Sequence, residues 1–306
     1  MKILSFGEII WDIYPDSSFI GGAPLNFCAH CVRCGVEGYL LSAIGTDQYN
    51  SNAYKELERF GIKTDFIQEN TRPSGKCLVT LDQRGVPSFN VLDNAAYDII
   101  TCNDDIINKI NAAEFDAFYF GTLAQRGSVS RESLCRILNT CKFGEVFCDI
   151  NLRDNCYDKE SVQNCLSCST TLKISEEEEP RLRAFDFWPH GSDMREKSVI
   201  LFSQYPNISR IIYTRGSKGA EIYNRDSSIY YVPAYGEKVV STVGAGDSFG
   251  AVWLSLHLAG LSDKEAAKIS SRISGYIVSV TEAVPDYDIH NFFDKTHPGK
   301  QEFYYE

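Results

Sequence analysis

Short apolar runs along the chain alternate with segments whose apolar residues recur at helical spacing. The runs predict buried strands, and the periodic segments predict helices. The predicted strands are Lys2 to Phe6, Tyr39 to Ile44, Ala117 to Phe120, Val146 to Ile150 and Ile211 to Thr214. The predicted helices are Pro24 to Cys34, Ser51 to Phe60, Ser130 to Cys141, one that follows Asp247, and about Asp263 to Val280. Such alternation is typical of a parallel sheet covered by helices on both faces.

Two segments interrupt this alternation. Residues 11 to 23 are rich in turn-forming residues, among them Pro15 and the pair Gly21-Gly22. Farther on, Cys77 to Leu81 and Val86 to Leu92 flank the sequence Asp-Gln-Arg-Gly, which predicts two strands around a tight turn. A hairpin inserted into a strand–helix series has no place within the main sheet, so we expect it to form a flap or lid.

Composition and charge exclude several classes of protein. The chain has 306 residues, 43% hydrophobic and 23% charged, which are ordinary values for a globular protein. Its formal net charge is −11, which argues against a broad surface for nucleic acid or anionic membrane. The first apolar run is too short for a signal peptide, and no apolar stretch of 18 residues follows. We therefore expect a cytoplasmic protein.

Eleven cysteines are a high count for such a chain. The chain is not short, as disulfide-stapled secreted domains are, so reduced thiols that pack as small apolar residues are the simplest interpretation. Cys28, Cys31 and Cys34 form a C-x2-C-x2-C run similar to an iron–sulfur motif, and Cys165 and Cys168 form a second C-x2-C. The alternative of a metal site stays open at this point.

The stretch Ser241-Thr242-Val243-Gly244-Ala245-Gly246-Asp247-Ser248-Phe249 places two glycines and a carboxylate at a predicted helix start. The first turn of a helix offers unpaired N–H groups that attract phosphate, and glycines let a ligand approach that backbone. A carboxylate repels phosphate, but it can accept the proton of an incoming hydroxyl group. The combination indicates phosphoryl transfer to an alcohol. Asp247 also fits a second interpretation, that of a plain N-terminal cap.

Further blocks occur in order along nearly the whole chain. They are Gly7-Glu8 through Asp12, Gly21-Gly22-Ala23-Pro24-Leu25-Asn26, Ile44-Gly45-Thr46-Asp47, Asp149-Ile150-Asn151-Leu152-Arg153, Lys173-Ile174-Ser175-Glu176-Glu177-Glu178 and Thr214-Arg215-Gly216-Ser217-Lys218-Gly219-Ala220. Together with the 241–249 stretch, they resemble the ribokinase-like (PfkB) family of sugar and nucleoside kinases. Each block is weak alone, but their order and spacing are highly specific.

The resemblance implies a ribokinase-like three-layer α/β/α fold with a mostly parallel central sheet and a small β-sheet lid. We expect a single kinase domain over residues 1–306, with the lid formed by about residues 11–26 and 75–98. Closure of a lid would exclude water from the site. Because the exposed edges of lid hairpins often pair between subunits, a homodimer through the lid is a further expectation.

The resemblance also implies roles for individual residues. Asp247 would accept the proton of the sugar hydroxyl group. The backbone N–H groups of Gly244, Ala245 and Gly246 would stabilise the charge on the transferred phosphoryl group, each by about 3–4 kcal/mol. The strand and turn that bind the adenine nucleotide would include Thr214, Gly216 and Gly219.

On the sugar side, Asp12 and Asn26 would bind hydroxyl groups, and Gly22 would let the ring approach the backbone. A carboxylate and an amide suit a polyol because they pair donors with acceptors in a fixed geometry. Tyr97 would close on the sugar. From the residues alone, Asp12 is equally a turn residue beside Pro15, and Tyr97 is equally an ordinary aromatic of the lid core.

Two charged residues would serve the phosphates and the metal. Arg153, just past a predicted strand end, would hold the γ-phosphate or an acidic or polar group of the substrate. The alternative is a surface ion pair, which contributes little. Glu178 would help to organise hydrated Mg2+, which needs only one or two carboxylates. The alternative is that Glu176 to Glu179 form a solvated acidic helix start.

Three departures from the family pattern concern cations. Ser241 replaces the Asp that helps to bind an activating monovalent cation in the family. Ser175 stands where the N-x-x-E motif has Asn, and Val280-Thr281-Glu282-Ala283-Val284-Pro285 lacks the glycine-containing loop typical near that cation. We therefore do not expect K+ activation of the usual kind, although the catalytic Asp and the anion hole are intact.

The reaction implied is ATP-dependent, Mg2+-assisted phosphoryl transfer to a primary hydroxyl group of a sugar. The block Gly-Gly-Ala-Pro-x-Asn is more similar to fructokinases and 2-keto-3-deoxygluconate kinases than to ribokinases, so fructose is the first choice. The keto-acid sugar is the alternative, favoured if Arg153 binds a substrate carboxylate. A non-catalytic sugar- or nucleotide-binding regulator is a rival of a different class. The motifs of Rossmann dehydrogenases and P-loop kinases are absent from the sequence.

Overall fold

The computed structural model of the chain describes residues 1–81, 87–236 and 238–293. Its strands are β1 (Lys2–Phe6), β2 (Ile10–Ile13), β3 (Ser18–Gly21), β4 (Glu37–Gly45), β5 (Ile67–Asn70), β6 (Gly75–Leu81), β7 (Pro87–Val91), β8 (Ala117–Phe120), β9 (Glu145–Asp149), β10 (Thr171–Ser175), β11 (Arg210–Thr214), β12 (Ala220–Asn224) and β13 (Ile229–Val232). Its α-helices are α1 (Ala23–Arg33), α2 (Asn50–Phe60), α3 (Asp104–Ala113), α4 (Ser128–Thr140), α5 (Lys159–Cys168), α6 (Glu179–Leu182), α7 (Met194–Gln204), α8 (Ala245–Leu258) and α9 (Asp263–Ile277). Short 3-10 helices cover Ala96–Ile99, Leu123–Arg126, Gly216–Lys218 and Ile289–Phe292.

The large sheet has the order β13-β12-β11-β10-β9-β8-β1-β4-β5 within the described ranges. Strands β12 and β13 are antiparallel additions at one side, and every other neighbouring pair is parallel. Parallel strands point the same way, so the carboxyl ends of β1, β9, β10 and β11 meet at one edge of the sheet. In open α/β sheets, ligands bind at that edge.

The side chains of each central strand alternate between two apolar cores. In β8, Phe118 and Phe120 join one core, whereas Ala117 and Tyr119 join the other. Helices α3, α4 and α5 contribute to the first core, and α8 and α9 contribute to the second. This burial on both faces confirms the expected three-layer α/β/α arrangement with a mostly parallel sheet.

A second, smaller sheet has the order β3-β2-β6-β7. The strands of the predicted hairpin are present as β6 and β7, which pair in antiparallel fashion, and β6 pairs in parallel with β2. Asp12 of β2 lies directly opposite Phe19 of β3 and Cys77 of β6. The turn predicted at residues 82–85 lies outside the described residues.

Several boundaries differ from the sequence prediction. Residues 11 to 23 are not only turns: they form most of β2, all of β3 and the start of α1, because aromatic and β-branched residues stand between the turn formers. Helix α8 begins at Ala245, two residues before Asp247, and α9 ends at Ile277 rather than Val280. Helix ends are the least certain part of any sequence pattern.

Other elements have no clear apolar pattern in the sequence. In β10 the charged residue Lys173 interrupts the apolar run, although its side chain is buried in the structure. Helix α7 buries Lys197 and Ser198 and exposes Val199, so its hydrophobic periodicity is weak. Such elements are stabilised by partners that lie far away in the sequence.

The cysteines are free thiols, and nine of the eleven are buried. Cys28 packs in the core beside α2, whereas Cys31 and Cys34 pack in the core formed with α8 and α9. Within the described part of the chain, no three His, Cys, Asp or Glu side chains converge as a metal site. None of the helices seen in that part has the length and apolar character needed to cross a membrane.

Candidate active site

Polar side chains gather where the parallel strands end. Glu8 follows β1, Asp149 ends β9, Ser175 ends β10 and Thr214 ends β11. The register pairs Asp149 with Lys173 and Ser175 with Thr214, so neighbouring strands deliver these residues side by side. The geometry of parallel strands therefore builds the floor of a candidate site.

Helices α1 and α8 bring the predicted base to this edge. Asp247 is the third residue of α8, and its Oδ2 accepts a hydrogen bond from Asn26 Nδ2 of α1 at 2.8 Å. The helix is capped by the backbone of Gly244, and no side chain caps it. The alternative interpretation of Asp247 as a plain N-terminal cap is therefore wrong. Its carboxylate is held by a neighbouring helix and is free of any capping bond.

Asn26 carries an unsatisfied acceptor at the same place. The residue is buried, and its Oδ1 has no hydrogen-bond partner within the described residues. Buried polar groups almost always have a partner, so an orphaned acceptor indicates a ligand position. A Cβ atom at Gly21 would lie 3.5 Å from Asp12 Oδ2 and 4.0 Å from Asn26 Oδ1. Asp12 and Asn26, both predicted to bind sugar, are thus brought together.

The loop before α8 is shaped by its glycines. Gly244 has a φ of +81°, and a Cβ atom there would lie 2.6 Å from the carbonyl oxygen of Ala283. The N–H group of Ala245 donates to the Thr242 carbonyl at 3.3 Å, which leaves that predicted anion donor partly engaged. Gly246 has helical backbone, and a Cβ atom there would lie 3.2 Å from Lys173 Nζ.

Acidic groups surround the base. Burial raises the pKa of Glu8 to about 7 and that of Asp12 to about 6, and the nearby Arg153 opposes both shifts. Burial also raises the pKa of Asp247, whereas Asn26, Lys173 and Arg153 lower it. Arg153 itself is exposed and forms no ion pair within the described part of the chain. Its electrostatic effect on Glu8, Asp12 and Asp247 indicates that Arg153 lies near these three acids. A substrate contact of Arg153 stays a prediction.

Gly22 occupies a position that only glycine accommodates. Its φ is +109°, and a Cβ atom there would lie 2.5 Å from the carbonyl oxygen of Glu8. A side chain would clash with backbone, which cannot move as a flexible side chain can. Gly22 therefore fixes the entry of the chain into α1, and so the position of Asn26.

A buried ion pair lies beneath the loop. Lys173 Nζ donates to Asp149 Oδ2 at 2.7 Å, and both side chains are almost completely buried. Asp149 Oδ1 has no partner within the described residues. Burial raises the pKa of Asp149, and the Lys173 ammonium group opposes that shift.

Glu178 is turned into the protein. Its Oε1 accepts from the N–H group of Leu152 at 2.7 Å, and its Oε2 accepts from the N–H group and hydroxyl group of Ser175. The neighbouring Glu179 is also buried and pairs with Lys197. The interpretation of this acidic run as a solvated helix start is therefore wrong for these two residues.

Tyr97 lies in a 3-10 helix beneath the small sheet. Its side chain is completely buried, the guanidinium group of Arg126 stacks on its ring, and its hydroxyl group has no partner within the described residues. The ring also packs against Gly75, where a Cβ atom would lie 2.7 Å from it. A direct contact between Tyr97 and a sugar stays a prediction.

The turn after β11 has the expected glycines. Gly216 and Gly219 have φ values of +52° and +91°, and a Cβ atom at Gly219 would lie 2.1 Å from the carbonyl oxygen of Val232. The carbonyl group of Thr214 accepts from the N–H group of Glu176, which ties this turn to the end of β10. A nucleotide-binding role for these residues stays a prediction.

Comparisons with known proteins show the family of this chain. The sequence pattern of the "pfkB family carbohydrate kinase" matches residues 14–289. The chain belongs to the pfkB family of carbohydrate kinases. It is accordingly a sugar kinase, an enzyme that transfers a phosphoryl group, with the ribokinase-like fold.

The relatives are named as kinases of different sugars. The chain is 26% identical over 285 residues to 2-dehydro-3-deoxygluconokinase of Dickeya dadantii, covering 86% of this chain and 89% of that one. It is 24% identical over 263 residues to the fructokinase of Solanum tuberosum, covering 81% and 78%. The structure of a fructokinase with bound ATP from Xylella fastidiosa matches with a TM-score of 0.78 at 19% identity, over 92% and 94% of the two chains.

In this carbohydrate kinase, the segment from Val280 to Pro285 is fixed by a side chain of α1. His30 Nε2 lies 3.0 Å from the carbonyl oxygen of Ala283, and His30 Nδ1 lies 2.9 Å from the hydroxyl group of Tyr287. A carbonyl oxygen can only accept, so Nε2 carries the proton and the tyrosine donates to Nδ1. The hydroxyl group of Ser241 accepts from the N–H group of Val243 at 3.2 Å.

Sequence reasoning gave no role to Glu8, Asp149, Lys173 or His30 in this kinase. A signal for three of them exists in the sequence. Glu8 and Asp149 stand at the ends of apolar strands, where site residues gather. Lys173 is a charged residue within an apolar run, and a lysine is almost never fully buried unless it is paired. The role of His30 depends on a contact 253 residues away, which no local pattern encodes.

Proposed function

We propose that this kinase transfers the γ-phosphoryl group of ATP to a primary hydroxyl group of a sugar, with fructose as the first candidate. The observation that carries the proposal is the pair of Asn26 and Asp247. The amide holds one oxygen of the base and offers its own unpartnered Oδ1 to a ligand. ATP as the donor is supported by the similarity in fold to the ATP-bound fructokinase.

In the proposed reaction, Asp247 accepts the proton of the sugar hydroxyl group as the oxygen attacks the γ-phosphorus. The bond from that phosphorus to the oxygen bridging the β- and γ-phosphates breaks, and ADP leaves with the electron pair. The backbone of Gly244 to Gly246 at the start of α8 stabilises the negative charge on the transferred group. Asp12 and Asn26 orient the sugar so that its hydroxyl group lies beside the base.

Mg2+ would shield the charge of the phosphates. Glu178 Oε1 accepts one hydrogen bond and keeps one acceptor position, so it suits a water molecule of a hydrated ion better than direct coordination. Because no three ligating side chains converge within the described ranges, most of the ligands of the ion would be water and phosphate oxygens. In the proposal, Glu178 fixes the ion from one side.

A sugar acid such as 2-keto-3-deoxygluconate is the second candidate, because Arg153 is exposed and forms no ion pair within the described residues. Its guanidinium group could bind a substrate carboxylate. The buried Glu8 and the partly buried Asp12 oppose this choice, since an anionic substrate would be repelled wherever these acids are ionised. The Arg153→Gln variant separates the candidates: it should raise KM strongly for the acid and only slightly for fructose.

The decisive experiment measures ADP release from Mg-ATP with fructose, 2-keto-3-deoxygluconate, ribose and adenosine. We expect turnover with one sugar and a loss of kcat on the order of a hundredfold or more in Asp247→Asn. Asp263→Asn, in the first turn of the neighbouring helix α9, is the matched control and should stay within a few-fold of wild type. Wild-type kcat in Asp247→Asn would refute the role of the base.

A further inference from the structure

The ammonium group of Lys173 lies against the backbone of the anion loop. A Cβ atom at Gly246 would lie 3.2 Å from Lys173 Nζ, so any side chain at that position would press on the ammonium group. Gly246 has ordinary helical backbone, and its conformation alone does not require glycine. Glycine is therefore needed at position 246 because it leaves room for the ammonium group. This lets Lys173 lie close to the N–H groups at the start of α8.

The ammonium group of Lys173 is held in place, but only one of its hydrogen-bond donors has a partner within the described residues. It donates to Asp149 Oδ2 at 2.7 Å, and no second acceptor takes its other N–H bonds within the described residues. A lysine ammonium group has three donors. The register of β9 and β10 places Lys173 directly opposite Asp149, so the side chain cannot swing away without breaking a buried pair.

The negative charges of the site require a cation near the anion loop, where the phosphates would bind. The carboxylates of Glu8, Asp12, Asp149, Glu178 and Asp247 lie at or near the strand ends, and they would repel a nucleotide triphosphate. Arg153 acts electrostatically on Glu8, Asp12 and Asp247. Lys173 lies beside the loop. Burial lowers the pKa of its ammonium group, but Asp149 and Glu178 raise it by more, so Lys173 stays charged at neutral pH.

We propose that Lys173 donates a hydrogen bond from its ammonium group to an oxygen of the γ-phosphoryl group and stabilises it during transfer. This role rests on the proposed function and adds a catalytic residue to it. The phosphoryl group moves from the bridging oxygen of the β-phosphate to the sugar oxygen, and the proton of the sugar hydroxyl group goes to Asp247. Lys173 keeps all its protons and adds its positive charge beside the N–H groups of the loop.

Removal of the lysine must be separated from the cost of leaving Asp149 unpaired in the core, which destabilises proteins strongly. The experiment therefore compares Lys173→Met, Asp149→Asn and the double variant by thermal unfolding and steady-state kinetics. The double variant should recover the Tm that Lys173→Met loses, because it leaves no unpaired charge. The kcat of the double variant should stay on the order of a hundredfold below that of wild type. The kcat of Asp149→Asn should be higher than that of the double variant by tenfold or more.

Three further measurements complete the test. Lys197→Met is the matched control, because that lysine is also buried in an ion pair, and its kcat should stay near wild type. The affinity of the double variant for ATP should fall about tenfold while its affinity for ADP stays unchanged. KM for the sugar should also stay unchanged.

Two outcomes would overturn the proposal. A double variant with wild-type kcat would mean that Lys173 serves only as the partner of Asp149. Equal loss of affinity for ATP and ADP would mean that its charge is not directed at the γ-phosphate. If wild-type protein phosphorylates no sugar, the proposed function fails, and the comparison of ATP with ADP binding still decides the role of Lys173.

Discussion

Arg153 shows how one exposed side chain tunes three acids that are wholly or partly buried. Its guanidinium group lowers the pKa of Glu8, Asp12 and Asp247, each of which is raised by burial. A base in phosphoryl transfer has to be ionised before it can accept a proton. The charge of Arg153 therefore widens the pH range in which Asp247 is active, whatever else the residue binds.

We predict that Arg153→Gln moves the acid limb of the pH profile of kcat/KM to higher pH. Without the guanidinium group, the pKa of Asp247 rises further, so the base is lost at a higher pH as the solution is acidified. The profile should be measured with a neutral sugar, so that loss of a substrate contact does not mask the shift. Arg210→Gln, at the amino end of β11 and paired with Asp263, should leave the limb in place. An unmoved limb in Arg153→Gln would contradict the electrostatic role.

At the scale of elements, one row of polar side chains on α1 contacts several parts of the site. Asn26, His30 and Arg33 interrupt an apolar helix at spacings of four and three residues, which places them along one side. Asn26 binds the base, His30 binds the segment that packs on Gly244, and Arg33 pairs with Asp286. The helix therefore couples the base to the segment that covers the anion loop.

The buried His30 predicts a pH dependence of stability. Burial lowers its pKa from 6.5 to about 4, so between these values the unfolded chain binds a proton that the folded chain does not. Stability from this group is present above pH 6.5 and is lost as the pH falls towards 4. Because the shift is about 2.5 pH units, acidification from pH 7 to pH 5 should cost about 2 kcal/mol of unfolding free energy.

The measurement is urea unfolding at pH 7 and pH 5. His30→Gln should lose about 2 kcal/mol less than wild type over this interval, although it is less stable at pH 7 because its hydrogen bonds are weaker. His190→Gln, at an exposed position, should behave like wild type. Equal pH dependence in wild type and His30→Gln would show that the buried imidazole does not carry the effect.

At the scale of the whole molecule, the cysteines belong to the cores. Nine of the eleven are buried, and Cys135 and Cys168 are only partly exposed. Burial raises the pKa of Cys28 and Cys34 to about 12, so these thiols are inert at neutral pH. A thiol reagent should therefore titrate about two groups quickly in native protein and eleven in denaturant.

This titration also tests the state of the thiols. A reducing agent should leave the Tm unchanged, because no disulfide links the cysteines. A total below eleven in denaturant, restored by reduction, would reveal an intramolecular disulfide and contradict the packing of the cysteines as free thiols. The loss of native structure on addition of a chelator would point instead to a bound metal.

The alternation of apolar runs and helical periods determined part of the strand–helix order of this kinase. It predicted β1, β8 and α2 closely, because buried parallel strands are continuous apolar runs and α2 ends at a left-handed glycine. It did not reveal β10 or α7, whose buried lysines are satisfied only by partners on other elements. Local sequence encodes local periodicity, whereas the pairing of a buried charge is a tertiary event.

The same division holds for the candidate site. Sequence alone marked Asp247, because glycines and a carboxylate at a helix start follow local rules of backbone and hydrogen bonding. Asn26 was marked by the resemblance to the family. Only the tertiary structure decided that Asn26 holds Asp247, that Glu178 faces inward and that Lys173 lies beneath Gly246. The reason is physical: desolvation, distance and charge depend on which strands end side by side, and the sheet order sets that through contacts between residues far apart in the chain.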